Sequence, residues 1–486
     1  MRDDKAGDAA MTALLPRYPA YKASGVLWLG DVPAHWQTRR LKYLLRERVD
    51  RSTTGTEQLL RVSQYTGITE RKRSDGGDEP DTRAVSLIGH KLVSPGDLVV
   101  NIMLAWNGSL GVSPFRGIVS PAYCIYRFGE SAVPWYYHHL LRSPAYRARI
   151  KALSTGVVES RLRLYTDDLY PLEALLPPLP EQQAIVRYLD HHDRLIRKYL
   201  RAKQREIALL QEQKQAIIHQ AVTRGLNPDA PMKPLGSTPP CVIRQDWSTP
   251  RLWQMARVRS EKDAPDLSLL SVFLGRGVIN YSEGGGQVHK PSRDLTGYQV
   301  VHPGDLVLNN QQAWRGSVGI SPSHGIISPA YVVLALDTSL EPGYAKYLFP
   351  SQVMVAQYLV SSKGVGDIQR DVHVPWLMNA RVPVPLRDEQ LAIAETLDRK
   401  VRAIDHSIVE NTLGINLLHE YRARLIADVV TGQVDVRAAV EQRAAAAALP
   451  DETEDPDDWQ ADEVEEADEG LAVVEESEGV AEEEEG

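Results

Sequence analysis

One segment of this chain occurs twice, and that repeat constrains the fold more than any other feature. SPGDLVVNIMLAWNGSLGVSPFRGIVSPAY, residues 94–123, recurs as HPGDLVLNNQQAWRGSVGISPSHGIISPAY at residues 302–331. From position 94 to 128, 19 of 35 residues are identical at a shift of 208, with no gap. The same shift carries Gly156-Val157 onto Gly364-Val365, Glu181-Gln182 onto Glu389-Gln390, and Leu189-Asp190 onto Leu397-Asp398. A register held over that span is a duplication, and a chain of 486 residues has room for two cores.

Each copy reads as β-rich first and helical last. Pro95-Gly96 and Pro303-Gly304 suit turns in which Pro fixes φ and Gly takes φ > 0. The apolar runs Leu98-Val99-Val100 and Leu306-Val307-Leu308 read as strands, as do Gly117-Ile118-Val119 and Gly325-Ile326-Ile327. Residues 135–153 and 343–360 are helix-like and broken by Pro144 and Pro350.

A Pro-rich stop closes each copy, at residues 176–180 and 382–386, and a long helical segment follows it. Residues 181–224 contain neither Pro nor Gly; ~44 residues span ~66 Å at 1.5 Å each. Ile185, Leu189, Ile196, Tyr199, Leu210 and Ile217 step by threes and fours, as do Ile393, Leu397, Ile404, Leu418, Tyr421 and Leu425. Gly414 predicts a weak or bent turn in the second segment. His192, Lys203, Glu206 and Gln213 fall on the first seam, and Lys400, Ser407 and Asn411 on the second. Such stripes are too polar for a core, so each helix wants a partner, and an antiparallel pair is natural; two independent surface helices are the alternative.

The domain organisation read this way is a first globular domain at 1–180, a long helix at 181–224 and a linker at 225–246. A second globular domain at 247–387, a long helix at 388–432, and a linker with acidic tail at 433–486 follow. The net charge is −9, but residues 451–486 hold 19 acidic residues and no Lys or Arg, which leaves +10 on the rest. A basic body fits a polyanionic partner. The tail is expected to be disordered, and either solubilises the chain or competes with non-specific DNA for the basic surface. No apolar run is long enough to span a membrane, and the N-terminal MRDDKAGDAA lacks the pattern of a secretory signal, so a cytoplasmic location is expected. Cys124 and Cys241 are too few for a disulfide framework.

Catalytic patterns are missing. There is no GxxxxGK[ST], HExxH, CxxC or GxSxG, and no Asn-Pro-Pro-aromatic or Asp-Pro-Pro-aromatic grip for a flipped base. No metal site and no bound cofactor are expected, and the chain is read as non-catalytic.

Residues 21–36, YKASGVLWLGDVPAHW, with Arg40-Leu41-Lys42-Tyr43, resemble the opening segment of type I restriction-modification specificity subunits. The duplication and the helix starts PPLPEQQAI at 177–185 and PVPLRDEQ at 383–390 agree with that family, although Asp-Glu replaces its commoner Pro-Glu. The resemblance covers residues 21–436. It implies an α+β fold with two tandem β-rich target-recognition domains, each followed by a long helix, the two helices forming an antiparallel coiled coil. It further implies that each domain reads one half of a bipartite site in double-stranded DNA, with the helices holding the readers apart. Implied partners are two methyltransferase subunits, which use S-adenosylmethionine, and translocase-nuclease subunits, which use ATP and Mg²⁺.

Candidate DNA-binding residues are Arg61, Gln64, Tyr65, Arg71, Lys72, Arg73, Arg161 and Arg163 in the first copy. In the second they are Lys290, Arg293, Gln311, Gln312, Arg315, Gln369 and Arg370. Arg can grip guanine and Gln adenine with paired hydrogen bonds, while Lys more often meets phosphate. Around a shared Asn101/Asn309 and Ala105-Trp106/Ala313-Trp314, Ile102-Met103-Leu104 becomes Asn310-Gln311-Gln312, and Asn107 becomes Arg315. A retained frame with altered contact positions suits two readers of different half-sites. Trp106 and Trp314 themselves are expected in the core. Two rival readings stand beside this one: a duplicated, non-catalytic protein-assembly adaptor with incidental charge, and a degenerate nuclease.

Overall fold

The computed structural model describes residues 15–71, 86–156, 162–236, 241–284, 291–292, 294–364 and 370–446. Its contacts divide into two units, one from Met1–Asp193 with Ala423–Gly486 and one from Arg194–Arg422.

In the first unit an antiparallel four-stranded sheet runs in the order Leu45–Arg48, Tyr123–Phe128, Leu98–Asn101, Leu110–Val112. Leu98–Asn101 is buried throughout, and strand alternation explains its unbroken apolar run. Leu98 and Val100 face a helical core containing Tyr136, Tyr137, Leu140 and Tyr146. Val99 and Ile125 face a second β layer built from Leu60, Val62, Ile68, Val93 and Val119. That layer includes the hairpin of Leu60–Ser63 and Gly67–Glu70. The helical stretch divides at Pro144 into Pro134–Arg142 and Pro144–Leu153, each opening on a Pro whose missing N–H costs nothing there.

The second unit has the same strand order: Ala256–Val258, Tyr331–Leu336, Leu306–Asn309, Val318–Ile320. Leu306 and Leu308 face helices Pro342–Leu348 and Gln352–Val360, whereas Val307 and Val333 face the hairpin of Leu270–Phe273 and Gly277–Asn280. The Pro-Gly turns do what their sequence requires. Gly96 and Gly304 take φ of +87° and +89°. The following Asp97 accepts from the Ser94 amide at 2.9 Å and from Arg48 at 2.7 Å. Asp305 does the same with the His302 amide (2.8 Å) and Arg259 (2.7 Å).

The Glu-Gln pair at the start of each long helix is a latch. Gln182 Oε1 accepts from the Val133 amide at 2.8 Å, and its Nε2 donates to the carbonyls of Ser131 and Pro177. Gln390 repeats all three bonds with Glu341, Ser339 and Pro385. Beside them, Glu181 accepts from the Trp36 indole at 3.0 Å and Glu389 from the Trp247 indole at 3.1 Å. Both helices thus begin locked to their own globular body.

The long helices are Leu179–Arg224 and Arg387–Val430. In the second unit they pack together: Lys203 Nζ donates to Asn411 at 2.8 Å and Lys214 Nζ to Asp405 at 2.6 Å. One number rises as the other falls, so these stretches run antiparallel. In the first unit Ile185 and Leu189 share a core with Leu425, Val429 and Val430. Several expectations fail here, and Glu206, Gln213 and Tyr421, placed on the seams by their spacing, are exposed. Tyr199 is exposed and Leu200 takes its inward place. Lys400 likewise points outward, and Val401 is buried instead. Gly414 leaves the second helix unbroken, because a deficit of about 1 kcal/mol is small against the packing of a long apolar stripe.

Candidate nucleic-acid interface

A short turn of helix follows the central strand in both units, at Ala105–Asn107 and Ala313–Arg315. Asn101 Oδ1 accepts from the Met103 amide and Asn309 Oδ1 from the Gln311 amide, both at 3.1 Å. Each indole N–H turns back onto the same loop: Trp106 donates to the Met103 carbonyl at 3.1 Å and Trp314 to the Gln311 carbonyl at 3.0 Å. Gly108 and Gly316 then leave the turn at φ of +100° and +96°, a conformation other residues rarely hold. The frame is thus fixed by residues the two copies share, and the variable positions ride on it.

Trp106 and Trp314 are therefore not core residues. Both are half-buried, pinned by their indole nitrogens with ring surface still available to cations. Lys151 Nζ lies 5.3 Å from the Trp106 ring centre. The guanidinium carbons of Arg315 and Arg370 lie 4.6 and 5.6 Å from that of Trp314. A cation held over an indole is both oriented and partly desolvated.

The surroundings of the two turns differ in chemistry. In the first unit Met103 and Leu104 are exposed apolar side chains. The Leu164 amide donates to the Ile102 carbonyl at 3.0 Å, which brings the exposed Arg163 alongside. The hairpin turn carrying Gln64 and Tyr65 is tied to the same loop through Arg142, and the Tyr65 ring is 68% exposed. In the second unit Gln311 and Arg315 are exposed and Gln312 is half-buried, while the Val372 amide donates to the Asn310 carbonyl at 3.1 Å. That strand brings Arg370 to Trp314.

Not every candidate gathers there. Arg61 lies mid-hairpin opposite Thr69, exposed between buried Leu60 and Val62. Arg71 lies at the far end of the same hairpin, its amide donating to the Leu59 carbonyl at 2.9 Å. Lys72, Arg73, Arg161, Lys290, Arg293 and Gln369 lie outside the described residues. Sequence reasoning marked Met103 and Leu104 only as part of a stretch that differs between the copies, and it missed Lys151, the exposed Leu274 and Trp376, over which Lys363 sits at 4.8 Å. Apolar residues read as core by composition, and nothing in their local pattern marks them as exposed.

The shifted tyrosines of the cores have structural roles. Burial pushes the Tyr136, Tyr344 and Tyr358 hydroxyls well above their ordinary value of 10, and each donates to a backbone carbonyl, of Val430, Pro383 and Phe349. They are fixed donors at neutral pH rather than proton shuttles. Among the described residues no group of three or more His, Cys, Asp or Glu is placed to hold a metal ion, and no helix is long and apolar enough to cross a membrane.

No family model matches the chain. A curated relative, the type I restriction enzyme MjaVIII specificity subunit of Methanocaldococcus jannaschii, is 22% identical over 374 residues, which are 70% of this chain and 81% of the relative. A chain solved in work on complex assembly and conformational transition of the type I R-M system superposes with a TM-score of 0.59 at 17% identity. That match covers 82% of this chain and 98% of the other. The HsdS subunit from Thermoanaerobacter tengcongensis aligns over 83% and 98% of the two chains at 17% identity, with a TM-score of 0.45. In its sequence this chain resembles the specificity subunits of type I restriction-modification systems, and its fold is that of a chain from such a system.

Proposed function

We propose that this chain is the DNA-specificity subunit of a type I restriction-modification complex, each unit reading one half of a bipartite target. One observation carries the reading. The same strand, Asn-capped turn, Trp and left-handed Gly recur in both units, yet they present Ile102-Met103-Leu104 in one and Asn310-Gln311-Gln312 in the other. Apolar side chains suit thymine methyl groups and amides suit adenine edges, so one scaffold serves two different readouts. The basic body supplies the sequence-independent attraction to phosphate.

The chain itself is non-catalytic and binds no cofactor in this reading. Two methyltransferase subunits bring S-adenosylmethionine chemistry, and translocase-nuclease subunits bring ATP and Mg²⁺. The long helices form an antiparallel coiled coil, supported by inward positions that alternate three and four residues apart: 401, 404, 408, 411, 415 and 418. Their outward faces dock the partners. Val409, Leu413 and Leu417 form an exposed apolar stripe at four-residue spacing, a surface suited to another protein.

Mapping methylated adenines in the host genome, with and without this gene, tests the proposal. Loss of one bipartite motif on deletion is the expected result. A methylome that keeps every bipartite motif refutes it.

A further inference from the structure

In both units a hairpin glycine packs against a strand glycine, Gly67 against Gly111 and Gly277 against Gly319, and the first unit adds a side-chain clamp. In the first, the helix Pro134–Arg142 sends two side chains under the hairpin from positions one turn apart, His138 and Arg142. His138 Nδ1 accepts from the Val112 amide at 3.1 Å, and its ring fills the space between Gly67 and Gly111. The Arg142 guanidinium spans the two loops. On the hairpin side it donates to the carbonyls of Ser63 (3.4 Å), Gln64 (3.0 Å) and Tyr65 (2.8 Å). On the other side it donates to those of Gly108 (3.1 Å) and Leu110 (2.7 Å).

Among the described residues, the second unit has no counterpart of this clamp. The shift of 208 places Pro350 at the position of Arg142 and Lys346 at that of His138, and Lys346 pairs with Asp398. There the hairpin meets the sheet backbone to backbone: a Cβ on Gly319 would lie 2.9 Å from the Gly277 Cα, so only glycine permits the approach.

Resting on the DNA-reading role above, we propose that Arg142 is a positioning residue for one half-site. It sets the turn bearing Gln64 and Tyr65 against the turn bearing Met103, Leu104 and Trp106, and so fixes the shape of the first reading surface. A planar fork that serves carbonyls on two loops at once cannot be replaced by a single ammonium. Both terminal nitrogens are engaged by protein carbonyls, so the role proposed for Arg142 is to shape the surface rather than to contact phosphate.

The test uses the complex with its methyltransferase partners and three versions of this chain: wild type, Arg142→Lys and Arg142→Gln. Folding is checked by thermal melting. Methylation rates are measured on DNA carrying the wild-type motif and on DNA with single-base changes in either half. Both variants should lose discrimination in one half by roughly tenfold, the scale of one mismatched pair. Discrimination in the other half should stay at the wild-type level, and the slope of log affinity against log salt should not change. Unchanged discrimination in Arg142→Lys overturns the proposal, as does an equal loss in both halves. A salt slope that falls by about one overturns it too, because Arg142 is then a phosphate contact. Failure of the wider reading looks different: the wild-type complex itself then shows no bipartite preference.

Discussion

At the scale of single residues, the two copies are most alike where a side chain satisfies backbone groups that nothing else can reach. Gln182 and Gln390 each make three hydrogen bonds to main-chain atoms and are buried to within 1%. Replacing Gln390 with Leu keeps the size but strands the Glu341 amide and two carbonyls. We expect a loss of at least about 2 kcal/mol in chemical unfolding, since each orphaned buried polar group costs of that order. The motif Glu-Gln was legible as a landmark of the helix start, and its physical task was not. The bonds go to Ser131 and Ser339, some fifty residues earlier in the chain. Trp106 and Trp314 taught the reverse lesson: composition assigns a Trp to the core, whereas an indole bonded to a carbonyl three residues back stays at the surface.

At the scale of elements, short apolar runs located two strands in each copy, and steps of three and four located both long helices. The sheet strand at Leu98–Asn101 and the division at Pro144 follow directly from residue type. Seam membership did not. Tyr199 and Leu200 are neighbours, and period alone could not say which faces inward, because a slip of one residue still fits a loose helical grid. Gly414 shows how tertiary packing overrides local propensity. Nothing lies within 4 Å of where its Cβ would stand, so Gly414→Ala meets no clash and gains helix propensity. Thermal unfolding should show the variant more stable by about 1 kcal/mol.

At the scale of the molecule, charge is the property the sequence settles most directly. Ending the chain at Pro450 changes the net charge from −9 to +10. Non-specific DNA binding by that shortened chain should tighten in low salt, with the gain fading as ionic strength approaches 1 M and the screening length falls to about 3 Å. A titration at several salt concentrations measures both effects, and equal affinities in low salt would show that the acidic segment exerts no field on the DNA-binding surface. The sequence by itself determined that there are two copies of one fold, where the central strands and long helices lie, and which positions differ between copies. Those facts are written in residue identity, periodicity and charge, which act locally or add up over the chain. Only the tertiary structure decided which differing positions stand together around Trp106 and Trp314, that Arg71 stands apart from them, and that Arg142 bridges two loops in the first copy. Those outcomes depend on hydrogen bonds between residues 30 to 80 positions apart, and no local pattern encodes a partner that distant.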